Sequence, residues 1–322
     1  MTMIENRYSI RSLLQILGSL RIVDPYGTVG VHDIIVDNIP VTWRYRVSST
    51  DELLDALDRI RDGETIYLEP GTYSIGETIV IDRDSAGIVG GRDTVLVFSD
   101  DVGEAVMLKG YGSFLYGVSI RKNKVGGFGV VLSPKEPGRP GYGQTVLGTD
   151  IRGFATGVRV TGSMNSVVVA NNISSENGVS IDNSAQTLVA LNTMGAYRQG
   201  EGIGVMTLYS QSVHIEKNYI IGFQYMVVLE SSYMVCVLYN NMSGGSTPPS
   251  AYILLRSAYG FTPQPPTAYS RIVGNTCHSP EGVLPQRGIY EAVGDHNMIL
   301  DNIVDAVEKI VVTGDNTVYN VW

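Results

Sequence analysis

Short apolar runs with alternating inward positions recur along the second half of the chain, and each ends on a side-chain amide. They read V-V-V-A-N-N-I at 167–173, L-V-A-L-N-T-M at 188–194, V-H-I-E-K-N-Y-I at 213–220, V-C-V-L-Y-N-N-M at 235–242, R-I-V-G-N-T-C at 271–277 and M-I-L-D-N-I-V at 298–304. The recurrent amides are Asn171, Asn192, Asn218, Asn240, Asn275 and Asn302, separated by 21, 26, 22, 35 and 27 residues. V-L-G-T-D-I at 146–151 fits the series with Thr149 in the place of the asparagine. Each run is followed by a second short strand, such as G-V-R-V-T-G at 157–162, V-S-I-D at 179–182, M-V-V-L-E at 226–230 or K-I-V-V-T-G at 309–314. Period-two alternation over so few residues predicts strands. A unit of two or three such strands has no core of its own and must stack on copies of itself.

Stacked coils of roughly 22 residues, with parallel strands about 4.8 Å apart, predict an all-β solenoid: a single-stranded parallel β-helix of three parallel sheets and about ten coils. Asparagine is expected at the bends for two reasons. It tolerates left-handed backbone at low cost, and stacked copies can hydrogen-bond along the axis.

Ahead of the repeats, S-S-T-D-E-L-L-D-A-L-D-R-I-R-D-G at 48–63 predicts a helix. Ser49 and Glu52 form a capping box, Leu53, Leu54, Leu57 and Ile60 an apolar face, and Gly63 the stop. G-E-T-I-Y-L-E-P-G-T-Y follows at 63–73. The repeat, the helix and this Gly-x-x-Ile-x-Leu-x-Pro-Gly-x-Tyr stretch together resemble the right-handed parallel β-helices of the pectate-lyase-like superfamily. The resemblance covers residues 48–322 and implies a right-handed coil with the helix capping one open end; it is specific for fold and says little of function. Residues 1–47 stand outside it and are expected to be an anchoring or capping segment. There Ile10, Leu13, Leu14 and Leu17 predict an amphipathic helix, and D-I-I-V-D at 33–37 and V-T-W-R-Y-R-V at 41–47 predict strands.

Composition narrows the function classes. A formal charge of −9, with 23 Lys and Arg against 32 Asp and Glu, argues against a nucleic-acid partner. Cys236 and Cys277 lie in strand-like runs without metal spacing and are expected to be buried thiols. The N-terminus lacks the apolar core and small-residue site of a signal peptide, and no stretch is long and apolar enough for membrane insertion. No metal or cofactor is expected.

Side chains alternate across a strand. If the residue three before each asparagine points inward, its neighbours Val167, Val169, Leu188, Ala190, Cys236, Leu238, Val273, Met298 and Leu300 point outward, interrupted by His214, Glu216 and Arg271. A stripe of that kind is expected to be covered by further copies of the chain, as a homotrimer about an axis parallel to the solenoid; a dimer, or a loop folded over the stripe, is the alternative cover.

Enzymes of the resembled superfamily cleave polysaccharides by β-elimination or by hydrolysis with paired carboxylates. The residues that could carry such chemistry here are Asp100, Asp101, Asp182, His214 and Glu216. The adjacent pair in S-D-D at 99–101 lacks the Gly-His-Gly and Arg-x-Lys that accompany it in the hydrolase branch. D-R-D-S at 82–85 and G-E-G-I-G-V at 200–205 do not complete a calcium or phosphate loop. The long insertions at 134–144, 243–250 and 257–269 are rich in Pro and Gly, and Tyr142, Tyr259, Phe261 and Tyr269 on them are the expected glycan or partner contacts. The reading that accommodates these features is a non-catalytic virion surface protein of spike, fibre or head-decoration type, docked through residues 1–47, assembled in a host cytoplasm and contacting a polysaccharide. Alternatives are a polysaccharide lyase or glycoside hydrolase of the tailspike type, and a cellular carbohydrate-binding solenoid.

Overall fold

The computed structural model describes residues 21–24, 27–30, 44–91, 93–258, 266–280 and 283–319. Strands Arg21–Asp24 and Gly27–Gly30 pair antiparallel. The expected helix around Leu13 and the expected strand 33–37 lie outside the described residues, as do Tyr259 and Phe261.

From Tyr45 onward the strands of the coils pair in parallel. Face A is a twelve-stranded sheet whose inward column runs Ile66, Ile88, Leu115, Val146, Val168, Val189, Ile215, Val237, Ile272 and Ile299, one residue per coil. All ten are fully buried. Face B stacks Ile120, Ile151, Ile173, Met194, Ile220, Met242, Cys277 and Val304. Face C stacks Val130, Val158, Val179, Val205, Val227, Ile253 and Ile289. Each aliphatic side chain thus meets its counterparts above and below, and full burial of one is worth about 1.5–3 kcal/mol. Faces B and C form one sheet of eighteen strands, because Asp150–Thr161 and Asn172–Asp182 run through the corner between them.

The helix Thr50–Arg59 closes the first coil. Ser49 Oγ accepts from Glu52 N at 3.2 Å, and the Glu52 carboxylate reaches back to Ser48 N at 2.7 Å. The capping residues are those expected, with the return bond one residue earlier. Leu53, Ala56 and Ile60 are buried against the core. Tyr73 of the Pro-Gly-x-Tyr turn is buried, its hydroxyl donating to Val47 O and Glu69 O, both at 2.9 Å. Tyr45–Val47 already pairs with Ile66–Leu68, so the solenoid includes the last residues of the 1–47 segment.

At the corner between faces A and B the asparagines form a continuous ladder. Asn171 N and Nδ2 both donate to Asn192 Oδ1, at 2.9 and 3.0 Å. The same pair of bonds links Asn192 to Asn218, Asn218 to Asn240, Asn240 to Asn275 and Asn275 to Asn302. Thr149 N starts the series on Asn171 Oδ1. Each Nδ2 also reaches a carbonyl of the preceding coil, as Asn218 does to Val189 O at 2.9 Å. The backbone reason differs from the expected one. The left-handed residue is the one before the amide: Ala170, Leu191, Lys217, Tyr239, Gly274 and Asp301, with φ from 53° to 66°. The asparagine is selected because its buried side chain supplies the donors and acceptor that the turning backbone leaves unpaired.

The outward stripe of face A also departs from expectation. Val167, Val169, Leu188 and Ala190 are at most 1% exposed in the single chain, and His214 and Glu216 are buried beside them. These coils therefore need no second copy to remove them from water. The stripe stays partly exposed farther along, at Cys236, Leu238, Val273, Met298 and Leu300.

Candidate functional site

The corner between faces C and A turns at every rung on a residue with positive φ: Ser85, Gly112, Gly143, Asn165, Gln186, Ser212, Met234, Tyr269 and His296. Beneath it a second polar ladder satisfies the backbone. Ser163 N donates to Ser184 Oγ at 3.2 Å, Ser184 N to Ser210 Oγ at 3.3 Å and Ser210 N to Ser232 Oγ at 3.3 Å. With the turn held from inside, the outward side chains are free of structural duty, and two groups of aromatic rings occupy them.

The first group is Tyr111 and Tyr142, on adjacent rungs joined by Gly112 N donating to Tyr142 O at 2.8 Å. Their rings are 40% and 51% exposed. With Arg139 and Pro140 of the 134–144 insertion they line an open cleft of about 560 Å³. The insertion is tied down at its base: Gln144 is fully buried, donates to Ser133 O at 3.1 Å, and accepts from Ser163 Oγ. Gly141 sits directly on this network, where a Cβ would lie 2.6 Å from Gln144 Nε2, so only glycine fits.

The second group is Tyr233, Tyr269 and His296. Tyr269 stacks on His296 with ring centroids 5.1 Å apart and planes 17° off parallel, and Tyr233 tilts against Tyr269 at the same distance. His296 Nδ1 lies 2.9 Å from Asp295 Oδ2. Backbone N–H of Asp315, then the neighbouring His296, holds the Asp295 carboxyl below its ordinary range. The sequence-predicted contacts Tyr142 and Tyr269 thus share one corner. They stand five rungs apart, roughly 24 Å at 4.8 Å per rung, too far to touch one sugar ring.

The expected catalytic candidates are dispersed. Asp100 is at an exposed turn, accepting from Lys124 N at 2.9 Å with Lys124 Nζ 3.8 Å away, and Asp101 beside it is exposed. His214 and Glu216 flank Ile215 on the outward side of face A, both buried, and burial raises the Glu216 carboxyl above its ordinary range against the smaller pull of Lys217. Asp182 lies on face C, where Asp182, Leu208, Glu230 and Arg256 form one column. Arg159 Nη2 stands 3.9 Å from Asp182, and Arg256 grips Glu230 with Nε at 2.8 Å and Nη2 at 2.7 Å. Tyr209 follows Leu208 along the chain, one position beyond this column; burial first, then the charges of Glu230 and Asp182, push its phenol above the ordinary range. Cys236 and Cys277 are free thiols, Cys277 fully buried and Cys236 partly so. Among the described residues no group of three His, Cys, Asp or Glu is placed to hold a metal ion, and no helix is long and apolar enough to cross a membrane.

Tyr111 and Arg139 were not singled out by sequence. A signal was present: G-Y-G occurs at 110–112 and again at 141–143, one coil apart.

No family model matches the chain, and no curated protein does. Solved structures match along most of its length. The catalytic unit of a GH87 α-1,3-glucanase from Streptomyces thermodiastaticus is 16% identical, with TM-score 0.57, over 79% of this chain and 51% of that one. The Dettilon tailspike protein is 15% identical, with TM-score 0.52, over 96% of this chain and 74% of that one. The A-module of the Azotobacter vinelandii mannuronan C-5 epimerase AlgE6 is also 15% identical, with TM-score 0.50, over 96% and 98%. The chain has the right-handed β-helix fold of the pectate-lyase-like proteins. At such identities the agreement concerns the fold alone, and it spans enzymes and tailspikes alike.

Proposed function

We propose that the chain is the body of a virion surface protein of spike, fibre or head-decoration type, a non-catalytic β-helix homotrimer that meets glycans along its aromatic corner. Residues 1–47 dock it to the particle. The observation that carries the reading is the partly exposed apolar strip on face A at Cys236, Leu238, Val273, Met298 and Leu300, interrupted by the exposed Arg271, which a monomer would leave against water. A threefold axis along the solenoid covers that strip in every copy and leaves the corner between faces C and A open. Two further features favour the reading: Asp100, Asp182 and Glu230 are engaged by Lys124, Arg159 and Arg256, and two of the structurally similar proteins are tailspikes. Light scattering on the purified full chain is expected to give a trimer mass, and Leu238→Asp or Leu300→Asp is expected to dissociate it. A stable monomer overturns the trimer.

A second reading has its own observation. Asp182 and Glu230 stand in one column two rungs apart, about 9.6 Å between their backbones, with Leu208 between them. Two carboxyls on one outward face supply the pair that glycoside hydrolysis uses, one to assist the leaving group and the other to activate water. On this reading the chain is a polysaccharide hydrolase or lyase. Release of reducing ends or unsaturated uronates from a polysaccharide panel, abolished by Asp182→Asn or Glu230→Gln, would select it; a panel left intact selects the non-catalytic one.

A further inference from the structure

We infer that the cleft beside Tyr111 and Tyr142 binds a neutral glycan, its sugar rings lying against the two tyrosines and its hydroxyls meeting the Arg139–Glu136 pair. This rests on the glycan-contact reading above and adds to it a place and a charge class.

The place follows from shape and rigidity. A cleft of about 560 Å³ falls within the usual range of small-molecule sites (~300–1,000 Å³). The two exposed phenol rings project from neighbouring rungs roughly 4.8 Å apart. Aromatic rings offer a large apolar face with a polar tip, which suits the C–H face of a sugar whose edge carries hydroxyls. The backbone beneath is held on both sides. Gly141 N donates to Gly162 O at 2.9 Å and Gly143 N to Met164 O at 2.9 Å, above the buried Gln144–Ser163 contact. Little ordering entropy therefore remains to be lost on binding.

The charge class follows from the partners of the nearby cations. Arg83 lies 3.6 Å from Asp82, Lys135 4.0 Å from Asp84 and Arg139 3.3 Å from Glu136. The cation that lines the cleft, Arg139, has a carboxylate beside it, and the net charge of −9 repels a polyanion at longer range. A uronate would have to displace Glu136 from Arg139. A neutral sugar need not: the pair presents N–H donors beside carboxylate acceptors, and each sugar hydroxyl can both donate and accept.

The test uses the full chain on an array of neutral and acidic bacterial oligosaccharides, followed by titration of the best ligand against variants. Neutral glycans are expected to bind, with little response to added salt. Tyr111→Ala, Tyr142→Ala and Arg139→Gln are each expected to weaken binding about fivefold. Tyr142→Phe, which keeps the ring, should retain it, as should Tyr239→Ala, whose exposed ring lies on the opposite asparagine corner. Binding confined to acidic glycans, with steep salt dependence, overturns the charge class and leaves the glycan reading standing. Neutral binding that survives both alanine variants overturns the location. Absence of binding to any arrayed glycan overturns this inference together with the reading beneath it.

Discussion

At the corner between faces A and B, six successive rungs carry the same residue, Asn171 through Asn302; at the corner between faces C and A, nine rungs carry Ser85, Gly112, Gly143, Asn165, Gln186, Ser212, Met234, Tyr269 and His296. Both corners bend the chain through left-handed backbone, and both leave N–H groups that the parallel sheets do not use. They differ in where the repair is made. At the first corner the repairing side chain points inward, is buried, and must supply donors and an acceptor in one plane, so only asparagine serves. At the second, the hydroxyls of Ser184, Ser210 and Ser232 do the inward work two residues earlier, which leaves turning residues such as Tyr269 and His296 to face out. The same backbone device is thus compatible with strict repetition or with free variation, depending on which side of the chain carries the hydrogen bonds.

The largest expected effect tests the first corner. Asn218→Ala removes the acceptor for both Asn192 N and Asn192 Nδ2 and the donor to Val189 O. With buried groups orphaned at about 1–3 kcal/mol each, a loss of about 3 kcal/mol or more is expected in denaturant unfolding. A loss below about 1 kcal/mol would mean that water enters the corner and the ladder is not a stabilising feature.

At the second corner, Tyr269→Ala removes two ring contacts and is expected to cost about 1 kcal/mol. A cost matching that of Asn218→Ala would show that the aromatic corner is also structural, and the contrast would fail.

Between these lies Glu216, buried on the face that joins the two corners. Its carboxyl is raised above the ordinary 4.5, so the native state holds the proton more tightly than the unfolded chain does. The stability this contributes is full below the unfolded value and is lost as pH rises from there through the raised native value. Glu216→Gln is expected to flatten that decline and raise the unfolding midpoint at neutral pH by a small amount. An unchanged pH profile would indicate that the carboxylate remains hydrated.

The smallest effect is expected from glycine at one turning residue of each corner, Leu191→Gly and Gln186→Gly. Relief of left-handed strain at φ 57° and 52° is offset by the greater freedom of glycine in the unfolded chain, leaving a change within about 1 kcal/mol at both. A large loss at Leu191 alone would place its side chain, not its backbone, in the ladder's support.

Much of the fold was legible. The asparagines, their spacing, Thr149 as the starting member, the helix with its Ser49 cap and the Pro-Gly-x-Tyr turn were readable because each is a local pattern tied to one hydrogen-bonding or packing need. The identity of the left-handed residue was not, since Ala170, Leu191, Lys217 and Tyr239 share no side-chain chemistry. The outward stripe was misjudged for a different reason. Alternation reveals which residues leave the core, as Val167 and Val169 do beside Val168, and says nothing of what lies over them. The candidate site was half legible: Tyr142 and Tyr269 stood out on long insertions, while Tyr111 sits in a short turn and joins the cleft through its rung.

Sequence alone determined that the chain coils, where each coil bends, and which amides hold the bends, because those depend on period and on hydrogen-bond capacity within one repeat. Only the tertiary structure decided which outward residues remain exposed, which acids meet arginines and which tyrosines share a cleft. Relations such as Arg159–Asp182, Arg256–Glu230 and Tyr111–Tyr142 join residues a full coil apart, and coils of 21 to 35 residues bring them together at distances that no local pattern encodes.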